Sequence, residues 1–415
     1  MSLAPCAAQE TPERTGDDSA LPAAPAAAQA VDTLPREDAS RSIARAAEFL
    51  VAHQGRDGSW GSNAPESTLE TGFALETYYA WKMASHGIVC MALAAVPETP
   101  ARRAAFEDAV RWLCTHRLPT RDSDWDIDFV WTALYGFVAT QELLGDPRLA
   151  SEEWQALLRG RANAFLDVLV RNQALSGGWA YYDDPPFDIV PTWATSFCTA
   201  LVLPALAEAR SRGFEVPASV VERAERYLRR CALPNGAYSY DLDPVTRISG
   251  VEHINLIEGS LGRMQVANWA RRRLGDPKVT DDVLREGLTQ FFRHRAFLDH
   301  ARTRPIPHEG FHANAGYFYF FAHYYAAKVI NELPEPEREA WHARLRPHLV
   351  KTQWESGGAC DFLDSPYTVN AGTSFLILAL SEGLPPYSKR APVGSAGAQA
   401  PAEGAPTTLE TERAR

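Results

Sequence analysis

The sequence predicts an all-α protein whose helical hairpins form a closed ring, and an internal repeat carries this prediction. In residues 45–60 an amphipathic helix runs into Gln, a short gap, Gly and an aromatic residue. This pattern recurs about every sixty residues, a period typical of proteins built from stacked supersecondary units. Each copy is followed by a second, more apolar helical stretch, so the repeating unit is a helical hairpin.

Six copies of the repeat can be placed in order along the chain. The hairpins begin near residues 40, 101, 151, 217, 280 and 335, and the last one ends where Leu384 meets two prolines. Six hairpins suffice to close a ring, so we predict one domain, an (α/α)6 toroid, over residues 40–385. The residues five positions before the Gln position are Phe49, Trp112, Val168, Tyr227, Phe291 and His348.

The two ends of the chain differ from its middle. Residues 1–39 and 386–415 are rich in Ala, Pro and charged residues, which predicts disordered tails. The first nine residues are similar to the end of an export signal whose apolar part lies upstream. These residues also fit an ordinary disordered Ala/Pro tail, and on that reading we expect a cytoplasmic protein. A periplasmic or exported location is the alternative if the start codon lies upstream.

Composition excludes some classes of function. The chain has 415 residues, of which 46% are hydrophobic, enough for a large core. Its formal net charge of −11 and the lack of a basic stripe argue against a nucleic-acid partner. No apolar run reaches the length of a membrane-spanning helix. Nothing in the sequence indicates a cofactor, and a protein partner stays open.

The junctions between turns and inner helices are the expected place of a ligand site. Copies five and six share Asn-Ala-Gly at this junction, at Asn314 and Asn370. A ring of hairpins gathers these helix N-termini around one mouth, so polar and aromatic side chains there face a common cavity. Surface turns and core packing are the alternative roles. The candidate substrate-binding residues are Trp131, Asp188, Trp193, Asn314, Tyr317 and Asn370.

The repeat and its period resemble the α/α-toroid superfamily of squalene and other terpenoid cyclases and of protein prenyltransferase β subunits. The resemblance covers the chain from about Ser40 to Leu384. It is specific for the fold and weaker for the activity. It implies a central apolar cavity and, for the cyclases, an acid that protonates an isoprenoid.

An acidic turn marks the place of that acid. Cyclases of this superfamily carry Asp-x-Asp-Asp followed closely by Thr-Ala. Here Asp126-Ile-Asp128 is followed by Phe129 where the motif has its last Asp, and Thr132-Ala133 come three residues late. Crowded, buried carboxyls raise one pKa, so an acid can stay protonated near neutrality. Asp126 and Asp128 are candidate catalytic acids, and capping of the inner helix is the alternative.

A second candidate pair opens the fourth inner helix. His253 lies there with Glu252 and Glu258, and residues one helical turn apart share a face. An acid–base pair over the cavity and a capping or core-polar role are both open.

The zinc site of the prenyltransferases has no counterpart in this sequence. The positions that match their ligands are Asn314, Gly316 and Asn370, none of which is a good zinc ligand. The set His308, His312, Cys360 and Asp361 lacks a diagnostic spacing. We therefore predict no metal.

Three functions follow, from different classes. The first is a terpenoid-cyclase-like enzyme that takes a hydrophobic isoprenoid into an apolar cavity, with Asp126 or Asp128 pointing in. The second is a non-catalytic toroid that binds a ligand or protein at its mouth, in which case the cavity would be filled by its own side chains. The third is a carbohydrate-active enzyme, which needs an open polar groove and two carboxylates roughly 5–9.5 Å apart.

Overall fold

The computed structural model describes residues 32–67, 71–183, 189–243, 252–302, 304–363, 365 and 367–384. Within these ranges the regular structure is helical, with two isolated bridges, Trp179 to Thr195 and Ala232 to Tyr238. Short 3-10 turns lie at Pro147–Leu149 and Glu252–Asn255. The α-helices are α1 (Arg36–Ala52), α2 (Leu75–Ala95), α3 (Pro100–Thr115), α4 (Val130–Leu143), α5 (Glu152–Arg171), α6 (Ser196–Ser211), α7 (Ala218–Cys231), α8 (Leu261–Arg273), α9 (Asp281–His294), α10 (Ala296–Ala301), α11 (Phe318–Glu332), α12 (Glu335–Val350) and α13 (Tyr367–Glu382).

The apolar helices form a closed inner ring. Helices α2, α4, α6, α8, α11 and α13 contact one another in that order, and α13 returns to α2. Helices α3, α5, α7, α9 and α12 pack outside α2, α4, α6, α8 and α11, and α1 packs against α13. The predicted all-α toroid is thereby confirmed. The division of the whole chain into six hairpins stays a prediction.

Helix α1 starts within the segment predicted as the N-terminal tail. It begins at Arg36, directly after Pro35, and carries Glu37 and Asp38 in its first turn, where acidic side chains favour the helix dipole. Arg36 also forms an ion pair with Glu339 of α12. This tertiary contact holds residues whose composition alone indicates a tail. Residues 1–31 and 385–415 lie outside the described part of the chain.

The Gln of the repeat fastens one outer helix to the next. The Gln353 side-chain amide donates to the carbonyl of Gly357 in its own turn, at 2.8 Å, and to that of Ser42 in α1, at 2.9 Å. Because α1 and α12 belong to opposite ends of the chain, this residue closes the ring. The same pair of hydrogen bonds joins the Gln54 side chain to the carbonyls of Gly58 and Ala105, and the Gln173 side chain to those of Gly177 and Val220.

The aromatic residue of the repeat holds the turn against the outer helix. Trp60 and Trp179 are fully buried, and each indole N–H donates to a carbonyl of the preceding outer helix, Leu50 and Leu169 respectively. These hydrogen bonds hold each turn against the outer helix of its own hairpin.

The turns that end the outer helices lie at one end of the ring. Hydrogen bonds join neighbouring turns there, such as the Val130 N–H to the Tyr181 carbonyl and the Tyr367 hydroxyl to the Ala64 carbonyl. The N-termini of the inner helices therefore meet at a common mouth. None of the helices that the structure describes has the length and apolar character needed to cross a membrane.

The close contact between turn and outer helix requires glycine at position 177. Gly177 has φ +107, and an added Cβ would lie 2.5 Å from the Arg223 carbonyl oxygen of α7. We expect Gly177→Ala to lower the free energy of unfolding by about 1–3 kcal/mol, because strained backbone and a clash coincide.

Gly160→Ala is the matched control for this prediction. Gly160 lies exposed inside α5 with nothing near the added Cβ, so alanine should stabilise the protein by about 0.5–1 kcal/mol. Urea unfolding followed by circular dichroism measures both variants. Equal effects in the two variants would contradict the structural role of the Gly177 contact.

Candidate active site

An apolar cavity of about 490 Å³ lies where the inner helices begin. Its volume falls in the range of pockets that hold small organic ligands. Most lining side chains are aromatic or aliphatic, and two carboxyls, Asp128 and Asp361, stand among them. The lining consists of Phe73, Trp81, Ala84, Ser85, Ile88, Asp128, Trp131, Tyr135, Tyr181, Phe197, Pro305, Ile306, Pro307, Tyr317, Phe318, Phe321, Asp361, Phe362, Ser365, Tyr367, Thr368, Ala371 and Phe375.

Asp128 is held in an unusual backbone conformation just before α4. Its φ is +62, in the left-handed region that non-glycine residues rarely adopt. Two bonds hold the turn in place: the Trp131 N–H donates to the Asp128 carbonyl at 3.1 Å, and the Ile127 N–H donates to the Thr77 hydroxyl at 2.9 Å. Strain of this kind persists only where the surroundings impose it, and here it turns the carboxyl to the cavity.

The two carboxyl oxygens of Asp128 have different surroundings. Oδ2 accepts a hydrogen bond of 2.9 Å from the Trp81 indole N–H. Oδ1 is buried and has no hydrogen-bond partner among the described residues, although the residue as a whole is partly exposed. A buried oxygen without a donor is best tolerated when it carries the proton itself. The arrangement therefore favours a carboxylic acid with its proton on Oδ1.

Burial raises the pKa of the Asp128 carboxyl to about 6. The hydrogen bond from Trp81 and the positive charge of Arg121 act in the opposite direction but are weaker. Arg121 itself pairs with Asp183 of the neighbouring turn at 2.9 Å, and both side chains are less than a tenth exposed. With this pKa about a tenth of the Asp128 carboxyls keep their proton at pH 7, far more than for an exposed Asp.

Asp126, the other candidate acid, serves the turn instead. Its Oδ2 accepts hydrogen bonds from the Asp122 N–H at 3.1 Å and from the Ser123 hydroxyl at 3.0 Å. Asp126 is buried but lies outside the cavity lining. Of the two carboxyls that the motif offers, the geometry favours Asp128 as the acid.

Two of the predicted binding residues line the cavity. The Trp131 ring stacks between Tyr135 and Tyr181, with centroid distances of 5.3 and 5.6 Å. Tyr317 also lines the cavity, and its hydroxyl lies 2.5 Å from Nε2 of His308. Burial lowers the pKa of His308 to about 4, so this imidazole is neutral.

Other predicted residues lie outside the lining. Trp193 is buried against Tyr182, and Asn314 donates to the Glu258 carbonyl at 2.9 Å. Trp193 therefore contributes to core packing, and Asn314 holds the loop that contains Glu258.

Two further candidates, His253 and Asn370, do not line the cavity. His253 stacks on Phe311 with a centroid distance of 4.0 Å, and Asn370 lies in α13 beside Gly61. Asp188 and the Glu252 side chain lie outside the described residues.

Asp361 is a cavity carboxyl that sequence reasoning did not select. It is 3% exposed, and its Oδ1 accepts a hydrogen bond of 2.9 Å from the Phe362 N–H. Burial raises its pKa to about 7, against this hydrogen bond and the charge of Arg302. The repeat holds a signal for it, since Asp361 follows its glycine pair at the same distance as the lining residue Tyr181 does.

No group of three or more His, Cys, Asp or Glu side chains is arranged to hold a metal within the described ranges. Both nitrogens of His308 are engaged, with Tyr317 and the Ala313 carbonyl, and the Cys360 thiol contacts the hydroxyl of Thr368.

The fold and the cavity define an α/α toroid with an aromatic cavity where its inner helices begin. Its structure is similar to a Listeria innocua protein, with a TM-score of 0.54 at 14% identity over 83% of this chain and 96% of that one. An α-1,6-mannanase from a Salegentibacter species gives a TM-score of 0.50 at 12% identity over 83% and 98%. A variant of the type II terpene cyclase MstE from Scytonema, in complex with its substrate geranylgeranyl dihydroxybenzoate, gives a TM-score of 0.48 at 14% identity over 84% and 97%.

At these identities the likeness shows the fold alone. The predicted resemblance to the terpenoid cyclase-like α/α toroids is confirmed at that level. No protein-family model and no curated protein sequence matches this chain.

The raised pKa of Asp128 makes a prediction for stability. The unfolded chain releases this proton near pH 3.8 and the folded protein near pH 6, so the free energy of unfolding falls as pH rises through that window. We expect Asp128→Asn to remove this pH-dependent loss. Its free energy of unfolding relative to that of the wild type should therefore rise by on the order of 2 kcal/mol from pH 4 to pH 8.

Asp126→Asn is the control, because it lies in the same turn but outside the cavity. Its carboxyl accepts two hydrogen bonds, so the substitution should lower stability. Urea unfolding at both pH values gives the comparison. A gain at pH 8 in Asp126→Asn, or none in Asp128→Asn, would argue against a protonated Asp128.

Proposed function

We propose that this protein is a terpenoid-cyclase-like enzyme that cyclises an isoprenoid after protonating it. The observation that carries the proposal is the Asp128 carboxyl, whose unpartnered Oδ1 is buried in an apolar, aromatic cavity. A carboxyl whose pKa lies near the working pH at such a site is suited to general acid catalysis.

Asp128 would start the reaction at a terminal double bond of the substrate. The π electrons take the proton from Oδ1, a C–H bond forms, and the adjacent carbon becomes cationic. The carboxylate that remains is stabilised by the Trp81 hydrogen bond to Oδ2 and by the charge of Arg121. Further double bonds then attack the cation and close rings.

The lining suits the cations that follow. Trp131 and Tyr181 present stacked ring faces, and the negative face of an aromatic ring attracts a cation. Aliphatic groups such as Ile88 and Ile306 complete the wall without offering a nucleophile. A carbocation there meets π faces before it meets water.

The same lining argues against the other two functions. A glycan needs polar groups to bind its hydroxyls, whereas this cavity is mostly aromatic and aliphatic. A toroid that only binds protein at its mouth needs no empty cavity with an oriented acid. An isoprenoid is therefore the ligand that we favour.

Product analysis tests the proposal. Cells that supply isoprenoids of fifteen to thirty carbons would express the wild type, Asp128→Asn or Asp126→Asn, and lipid extracts would be compared by mass spectrometry. We expect a new cyclic product in the wild type and in Asp126→Asn, and about 100-fold less in Asp128→Asn, because general acid catalysis contributes that much or more. An unchanged product in Asp128→Asn would discard this acid. A wild type inactive on every precursor would favour the binding toroid.

The pH dependence of the purified enzyme tests the acid separately. Because only protonated Asp128 can react, kcat/KM should fall about tenfold per pH unit above pH 6. Initial rates on the precursor identified in cells, measured from pH 5 to pH 9, give the profile. A rate that stays constant to pH 8 would contradict Asp128 as the acid.

A further inference from the structure

The initiating acid leaves a second carboxyl of the cavity without a role. Asp361 belongs to the turn before α13, is buried, and stands in the lining together with Phe362 and Thr368. Burying a carboxyl in an apolar cavity is unfavourable. A function on the substrate accounts for its position.

The two carboxyls meet the cavity from different helices. Asp128 precedes α4 and Asp361 precedes α13, and α2 lies between these helices in the ring. A bound chain therefore meets the two groups at separate points.

Their hydrogen-bond partners differ, and a pKa of about 7 leaves roughly half of the Asp361 carboxyls ionised, and able to take a proton, near neutral pH. Asp128 leaves Oδ1 without a partner, as expected for an acid that carries its proton there. Asp361 instead accepts the Phe362 N–H on Oδ1, a bond that is strongest with a carboxylate. The guanidinium of Arg302 is held close by, donating to the Cys360 carbonyl at 2.7 Å, and its charge also favours ionised Asp361.

We propose that Asp361 is the base that ends the cyclisation, an inference that rests on the proposed function. The carboxylate takes a proton from a carbon next to the last cation. The C–H electron pair becomes the new double bond, and Asp361 becomes a carboxylic acid. One proton enters at Asp128 and one leaves at Asp361, so the product is an isomer of the substrate and no other reactant is consumed. Exchange with solvent then resets both carboxyls.

Without this base the last cation must react differently. Water capture gives an alcohol, and proton loss from another carbon gives a different olefin. Asp361→Asn retains the size of the side chain and the oxygen that accepts the Phe362 N–H, but cannot take the proton. Cys360→Ser is a control one residue away, because Cys360 lies outside the lining.

The test uses purified full-length protein with geranylgeraniol in deuterated water. In the wild type the cyclic olefin should carry one deuterium from Asp128. Asp361→Asn should also incorporate deuterium, but with the ratio of alcohol and isomeric olefins to the wild-type olefin raised at least tenfold. Cys360→Ser should match the wild type, and Asp361→Glu should recover most of the olefin.

Each contrary result has a distinct meaning. An unchanged product ratio in Asp361→Asn with only a slower rate would show a structural role and overturn the inference. Loss of deuterium incorporation in Asp361→Asn would show that Asp361 takes part in the initial protonation, and this would also overturn the inference that it is the terminating base. No product from the wild type, either here or from any of the precursors supplied in cells, would instead remove the proposed function on which it rests. If Asp361→Asn does not fold, failure of the folded Asp361→Glu to form the olefin would count against the base.

Discussion

The structure depends on a side-chain amide that bridges two helices. Each repeat Gln donates to its own turn and to the next outer helix, and Gln353 does so between the two ends of the toroid. A hydrogen bond of this kind contributes about 0.5–1.5 kcal/mol to stability. This bond, repeated by Gln54 and Gln173, sets the distance between outer helices and thereby holds the inner ring closed around the cavity.

The closed ring brings the strained and apolar parts of the site together. Asp128 holds a left-handed backbone and a carboxyl whose ionisation burial disfavours, and both lower stability. The preceding inner helix, α2, stabilises the arrangement through Thr77 and Trp81. A site of this kind requires a rigid scaffold, because nothing within the acidic turn itself would keep the carboxyl in the cavity.

Two carboxyls in one cavity are distinguished by their surroundings. Asp128 and Asp361 both have raised pKa values, for the same reason of burial, but differ in the donors around them. Environments that separate paired carboxyls into acid and base are a general route to acid–base chemistry at neutral pH. The proposed cyclisation makes one proton enter and one leave, which this pair can accomplish without a cofactor.

The sequence by itself determined the all-α toroid, because the repeat encodes contacts between neighbouring hairpins: Gln, Gly and Trp occupy the same places in the turns. It also located the acidic turn and the lining residues Trp131 and Tyr317. Only the tertiary structure shows that Asp128 lines the cavity and Asp126, two positions away in the same turn, does not, and it alone brings Asp361 into the cavity. Burial, hydrogen-bond partners and pKa depend on residues from other hairpins, and a local pattern holds no information about them.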